Sequence, residues 1–141
     1  MSALDPLLPT FAMVALTAAV WVRLYVQRIR EMRRRRIAPE QLATSRQAAS
    51  TLHDTSAADN FRNLFEVPVL FYALSLTLYA THRGGWFLLG GCWLFAALRA
   101  VHSTIQCTYN KVMHRFSVYF ASTVLLFVLW ACLAVELIRE A

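Results

Sequence analysis

Four apolar runs dominate the sequence, and each is close to the roughly 20 residues that an α-helix needs to cross the hydrocarbon core of a bilayer. The runs cover about residues 7–27, 61–80, 86–108 and 116–137. Because lipid offers the backbone no hydrogen-bond partners, spanning segments of this length are expected to be helical. With 141 residues, of which 58% are hydrophobic, the chain predicts a single domain over residues 1–141. The predicted fold class is all-α integral membrane, a four-transmembrane-helix bundle with antiparallel up-down topology.

The basic residues are distributed unevenly between the connections of these runs. Ten lie in the first and third connections, and only Arg83 and Arg139 fall on the opposite side. Positive charge accumulates in cytoplasmic loops, so both termini are expected to be non-cytoplasmic and the basic loop of residues 28–60 cytoplasmic. The net charge of +6 is explained by this topology, and no nucleic-acid partner is expected. No Lys or Arg precedes the first run, which argues for a retained span. The lack of an N-terminal targeting peptide and of a lumenal retention motif favours a bacterial inner membrane.

Several polar side chains interrupt the apolar runs near the cytoplasmic end. Arg99, His102 and Gln106 share one face of the third span, and Arg115 and Tyr119 are one turn apart at the start of the fourth. An arginine at the centre of a membrane helix costs about 2.5–3.5 kcal/mol on insertion scales. Arg99 is therefore expected to face either a partner or a wet cavity.

The second span offers a partner at the matching depth. Asn63 and Glu66 share a face near its inner end, and Arg62 is placed to pair with Glu66 at i,i+4. Pro68 is expected to bend this helix. The sequence predicts an ion pair between Glu66 and Arg99, which by itself could be only structural. Arg115 is then a second cation without an acid, and this surplus indicates an anionic ligand.

These residues resemble the MAPEG family, the membrane-associated proteins in eicosanoid and glutathione metabolism. Asn63-Leu-Phe-Glu66 is similar to the family's Asn-x-x-Glu, and Arg99-x-x-His102 followed by Arg115 and Tyr119 is similar to the microsomal glutathione transferase and prostaglandin E synthase branch. The resemblance implies a homotrimer that binds glutathione as co-substrate between subunits near the cytoplasmic face. It also assigns a binding role to five residues: Asn63, Glu66, Arg99, His102 and Tyr119. Arg115 matches the catalytic arginine that stabilises the glutathione thiolate.

Several positions depart from the family pattern, including Pro68, which follows Glu66 by two residues and not by three or four. Asp59 stands where many members have an arginine, Gln106 replaces a tyrosine, and Phe116 stands where the prostaglandin synthase has a serine. The leading hypothesis is a glutathione-dependent transferase or peroxidase acting on lipophilic electrophiles in the membrane. The alternative is a non-catalytic lipid-binding or scaffold protein of the same fold, which Asp59 and Gln106 favour.

Two other kinds of site are not indicated. The first span contains no acidic residue, which argues against a small four-helix multidrug exporter that binds cations there. The cysteines show neither CxxC nor Cys/His spacing, so no metal site is expected; they are Cys92, Cys107 and Cys132.

Overall fold

The computed structural model describes residues 5–83 and 85–139, and every regular element in these ranges is helical. The predicted domain of residues 1–141 therefore extends at both ends beyond the described residues. The α-helices are α1 (Leu8–Arg35), α2 (Ser45–Thr51), α3 (Ser56–Asn63), α4 (Pro68–Ala80), α5 (Trp86–Cys107) and α6 (Val112–Arg139). Short 3-10 turns lie at Asp5–Leu7 and Pro39–Leu42. Four helical segments are long and apolar enough to cross a membrane: Asp5–Arg35, Ser56–Ala80, Trp86–Cys107 and Val112–Arg139.

Helix α1 continues beyond its apolar part into the basic connection, as the sequence predicts. It ends at Arg35, and the next residue, Arg36, adopts a left-handed conformation with φ of 54°. Its last turn contains three arginines, whose charge is favourable beside the exposed carbonyls of a helix C-terminus. We call the end of the bundle that carries this extension the inner end.

The connection of residues 28–60 is more ordered than the sequence indicates. The sequence predicts a loop over residues 28–60, and this prediction is wrong for Ser45–Thr51, which forms α2. The cause is a capping box, in which Thr44 accepts from the backbone of Gln47 and the Gln47 side chain accepts from the backbone of Thr44. Contacts with α1 hold the following segment, where the backbone N–H of His53 donates to Glu31 at 2.8 Å.

The second span is two helices rather than one bent helix. Helix α3 ends at Asn63, α4 begins at Pro68, and the four residues between them form turns. Proline lacks a backbone N–H and fits the first position of a helix, so Pro68 starts a new helix here. The break also removes the helical i,i+4 geometry that the predicted Arg62–Glu66 pair requires. No such pair is present among the described residues.

Packing between the long helices depends on close contacts at a few positions. Phe71 of α4 and Phe95 of α5 are fully buried, and their rings stack at 4.6 Å. A side chain at Gly91 of α5 would overlap with Leu129 of α6, so Gly91 permits the close approach of these helices. Gly90 faces open space instead.

Hydrogen bonds at the two ends of the bundle give the relative directions of α1, α4 and α5. At the inner end, Arg23 of α1 donates to the main-chain carbonyl of Cys107, the last residue of α5. At the other end, Thr10 of α1 donates to Ser75 of α4 at 2.7 Å. Arg23 lies in the second half of α1 and Cys107 is the last residue of α5, so both helices approach the inner end with their C-terminal halves. Helices α1 and α5 therefore cross in the same direction, and α4 crosses in the opposite direction.

Candidate functional site

Arg99 is the most deeply buried charged residue of the site. It lies on α5 with no exposed surface, and its Nη2 donates to the main-chain carbonyl of Asn63 at 3.1 Å. Its guanidinium carbon lies 5.2 Å from the centre of the Tyr119 ring, within cation–π range. Nε and Nη1 have no acceptor among the described residues. The guanidinium thus presents two buried donors that the surrounding protein does not satisfy.

The predicted ion pair between Glu66 and Arg99 is absent from the described part of the chain. Glu66 is exposed, and the one salt bridge among the described residues joins Glu31 to Arg35. The physical reason is the helix break, since Glu66 lies in the turn between α3 and α4 and is no longer in helical register with Asn63. Arg99 bonds instead to the Asn63 carbonyl, which lies at the C-terminal end of α3.

His102 joins α5 to the start of α6. It is 1% exposed, with Nδ1 at 3.1 Å from the main-chain oxygen of Arg115 and Nε2 at 3.0 Å from Oε1 of Gln106. Its ring also lies beside Tyr119, with 5.6 Å between centroids. Four of the residues that the resemblance assigns to binding therefore form one cluster: Asn63, Arg99, His102 and Tyr119. Glu66, the fifth, is at the surface.

Gln106 connects this cluster, although the resemblance places it outside the binding set. Its side chain is 1% exposed, and Oε1 accepts from Nδ2 of Asn63 at 3.1 Å while lying against His102. A buried amide between two polar partners fixes both of them. Its position four residues after His102 is the sequence signal, because i and i+4 lie on the same helical face.

Arg115 makes contacts through both its main chain and its side chain. Its main-chain oxygen contacts His102, and its Nη1 donates to Oδ1 of Asn110 at 2.9 Å. Asn110 has φ of 46° and donates its backbone N–H to the oxygen of Ile105 at 2.8 Å, which closes the end of α5. Asparagine tolerates the left-handed region better than most residues. Asn110 is not among the predicted site residues, and its only sequence signal is an asparagine between two predicted helices.

A second polar group lies beside the cluster and was also not predicted. Asn60 is fully buried, accepts from Ser103 at 3.2 Å, and donates to the sulfur of Cys107 at 3.4 Å. Arg23 donates to the carbonyl of the same Cys107. These bonds fix α1 and α3 against the inner end of α5, and thereby fix the helices that carry the cluster.

The site combines two cations with several neutral hydrogen-bonding groups. Arg99 is buried and Arg115 is half-buried, whereas the nearest acid predicted for the site, Glu66, is exposed. A concentration of guanidinium donors of this kind suits carboxylate or thiolate groups. Asp59 is exposed and accepts from Thr55 at 2.9 Å. The site therefore lacks the cation that an arginine would supply at this position.

The fold and the cluster define a small helical membrane protein with two arginines and several neutral polar side chains together at the inner end of its bundle. The model of the MAPEG family matches residues 6–135. The chain therefore belongs to the MAPEG family and is an integral membrane protein. Membership in this family indicates membrane roles of the glutathione-related transferase or isomerase type. No curated protein and no solved structure matches the chain.

Proposed function

We propose that the protein is a glutathione-dependent transferase or peroxidase that acts on lipophilic electrophiles dissolved in the membrane. In this proposal it works as a homotrimer in a bacterial inner membrane, with both termini non-cytoplasmic and glutathione bound between subunits near the cytoplasmic face. The observation that carries the proposal is the buried guanidinium of Arg99, with two donors that lack an acceptor among the described residues. Orphaned buried donors cost about 1–3 kcal/mol each, so they favour an incoming acceptor.

The residues present fit the chemistry of glutathione. A carboxylate accepts two parallel hydrogen bonds from one guanidinium, and glutathione carries two carboxylates. Glu66, being exposed and anionic, suits the ammonium group of the same molecule. Tyr119 lies over the Arg99 guanidinium and is only partly buried. A ligand would therefore reach Arg99 as the Tyr119 ring moves aside.

Arg115 has the catalytic role in this proposal. A free thiol has a pKa of about 8.5, and a fixed guanidinium that lowers this pKa by about 2 supplies about 2.7 kcal/mol in favour of the thiolate. One Nη of Arg115 is bonded to Asn110, which orients the side chain and leaves other donors for the sulfur. The thiolate sulfur then forms a bond to the electrophile as the leaving group departs with its electron pair. No covalent enzyme intermediate is required.

One observation favours the alternative, a lipid-binding or scaffold protein of the same fold without catalysis. Arg99 has no exposed surface, and its bond to Asn63 together with the Tyr119 ring also describes a purely structural link between α3, α5 and α6. In that case the protein binds a lipid but does not activate glutathione.

The test is stopped-flow ultraviolet absorbance near the thiolate band, with detergent-purified protein mixed with glutathione. Arg115→Ala is compared with Lys111→Ala, which removes an exposed cation just before the start of α6. We expect a thiolate signal at neutral pH in the wild type and in Lys111→Ala, and its loss in Arg115→Ala. A folded wild-type protein that gives no signal at saturating glutathione would refute the transferase hypothesis and favour a search for bound lipid.

A further inference from the structure

His102 differs from the other buried residues of the cluster because the protein already uses both of its ring nitrogens. Nδ1 lies 3.1 Å from the main-chain oxygen of Arg115, and Nε2 lies 3.0 Å from Oε1 of Gln106. His102 is 1% exposed within the single protomer, which leaves almost no surface for a ligand or a second subunit. Arg99 is buried as well, but it keeps two donors without an acceptor among the described residues. A ligand therefore finds unused hydrogen-bond donors at Arg99 and none at His102.

The contact between His102 and Arg115 has a defined direction. A main-chain carbonyl oxygen can only accept a hydrogen bond, so Nδ1 carries the hydrogen in this pair. The charged and titratable groups that face the ring are Arg99 on its own helix and Arg115 and Tyr119 on α6. No acid among the described residues forms an ion pair with His102. The imidazole is thus a donor to the main chain of α6.

This bond fixes the main chain close to the start of α6. The helix begins at Val112, so Arg115 lies at the end of its first turn. The guanidinium of Arg115 is held separately, since its Nη1 donates to Oδ1 of Asn110 at 2.9 Å. His102 and Asn110 therefore hold Arg115 at different atoms, the first through its main chain and the second through its side chain.

We propose that His102 is a positioning residue, which holds the first turn of α6 so that the Arg115 guanidinium stays close to the glutathione sulfur. This inference rests on the proposed function of Arg115, and it differs from the binding role that the resemblance assigns to His102. A fixed donor stabilises charge more than a mobile one, because it needs no reorganisation when the charge forms. Without the bond from His102, the first turn of α6 shifts and the guanidinium moves away from the sulfur.

Coulomb's law gives the size of the effect. At an effective dielectric constant of about 20, moving a guanidinium from about 4 Å to about 6 Å from a thiolate raises the thiol pKa by about 1. The contacts of the rest of the ligand with Arg99 stay intact. Loss of the bond from His102 therefore changes the ionisation of bound glutathione and not its binding.

The experiment compares two substitutions that each keep one of the two contacts. His102→Asn has an amide nitrogen the same number of bonds from the main chain as Nδ1, so it still donates to the Arg115 oxygen. His102→Gln has one the same number of bonds away as Nε2, so it keeps the contact with Gln106 and loses the bond to Arg115. His114→Gln is the control, because His114 is exposed and contacts Tyr109 at 3.3 Å.

Two measurements distinguish positioning from binding. Thiolate absorbance against pH, at saturating glutathione, gives the pH at which the bound thiol ionises. Calorimetric titration with S-methylglutathione, which has no thiol, gives the affinity for the rest of the tripeptide. We expect His102→Gln to raise the ionisation pH by about 1 and to change the S-methylglutathione Kd by less than about threefold. His102→Asn and His114→Gln should match the wild type in both measurements.

Three results would overturn the proposal. An unchanged ionisation pH in folded His102→Gln would show that Arg115 is positioned without His102. Equal rises in the ionisation pH of both His102 variants would show that the donor at Nδ1 has no special role. A loss of about tenfold or more in S-methylglutathione affinity in both variants would show that His102 contacts the ligand directly.

A measurement on the ligand-free wild type tests the same bond without any variant of His102. Nitrogen-15 NMR of histidine side chains distinguishes an imidazole with hydrogen on Nδ1 from one with hydrogen only on Nε2. The signal of His102 is assigned through single variants of the other histidines, which are His53, His82 and His114. We expect hydrogen on Nδ1, and hydrogen only on Nε2 would overturn the proposal. A wild type without a thiolate signal would instead refute the proposed function, and the NMR result would still decide whether His102 holds Arg115.

Discussion

Replacing Arg99 with methionine distinguishes a ligand-binding role of this arginine from a purely structural one. Arg99→Met keeps a long, flexible side chain in a fully buried position and removes the charge. It abolishes the hydrogen bond to the Asn63 oxygen, at 3.1 Å, and the contact with the Tyr119 ring. A hydrogen bond from a charged donor contributes about 1.5–3 kcal/mol, and a desolvated cation–π contact about 2 kcal/mol.

The same substitution also removes an unfavourable feature. The two orphaned donors of Arg99 cost about 1–3 kcal/mol each. Removing them stabilises the fold by an amount similar to the stabilisation lost with the hydrogen bond and the ring contact. We therefore expect the free energy of unfolding of ligand-free Arg99→Met to lie within about 2 kcal/mol of the wild type. Removing one partner of a closed buried ion pair would instead cost about 3–5 kcal/mol.

The assay is unfolding in mixed micelles by titration with dodecyl sulfate, followed by tryptophan fluorescence, with and without glutathione. Glutathione at a hundred times its Kd would stabilise the wild type by about 2.7 kcal/mol. Arg99→Met should lose this shift. Phe95→Ala, at a fully buried position on the same helix, is the control for sensitivity and should cost about 3–5 kcal/mol.

Two results would refute this reasoning about Arg99. A loss of more than about 3 kcal/mol in the ligand-free variant would show that the arginine chiefly holds the helices together. An undiminished glutathione shift in a stable variant would show that the ligand does not use this guanidinium.

Two further predictions concern helix contact and the orientation of the catalytic arginine. Gly91→Ala should destabilise the protein by about 1–3 kcal/mol through overlap with α6, whereas Gly90→Ala, which faces open space, should be neutral or stabilising. Asn110→Gly keeps the left-handed turn but removes the acceptor for Arg115, so the pH at which bound glutathione ionises should rise toward that of the free thiol. His82→Gly relieves a similar backbone conformation, with φ of 53°, and should leave that pH unchanged.

The first of these predictions is checked by the same unfolding titration, and the second by the absorbance titration of the thiolate against pH. Equal stability of Gly91→Ala and Gly90→Ala would mean that the α5–α6 contact yields easily to a methyl group. A thiolate titration in Asn110→Gly that matches the wild type would show that Arg115 needs no orientation by Asn110.

The family-level identification depends on features that a sequence displays directly. The lengths of the four apolar runs, the basic extension of α1 and the order of Asn63, Arg99, His102 and Tyr119 are all local patterns. The bilayer fixes the length of a span, and helical periodicity fixes which residues share a face. For these reasons the all-helical fold with four long apolar segments was predicted, and the four residues were predicted to lie together.

Only the tertiary structure decides which groups meet. From the sequence, Glu66 is the natural partner of Arg99, yet the turn before Pro68 leaves Glu66 at the surface and brings the Asn63 carbonyl to the guanidinium. Asn110 reaches Arg115 because a left-handed turn ends α5. A helix break and a turn displace side chains by more than the length of a hydrogen bond, and the sequence pattern does not specify that displacement. The sequence by itself therefore determined the spans and the composition of the site, and the packing of α3, α5 and α6 decided its hydrogen bonds.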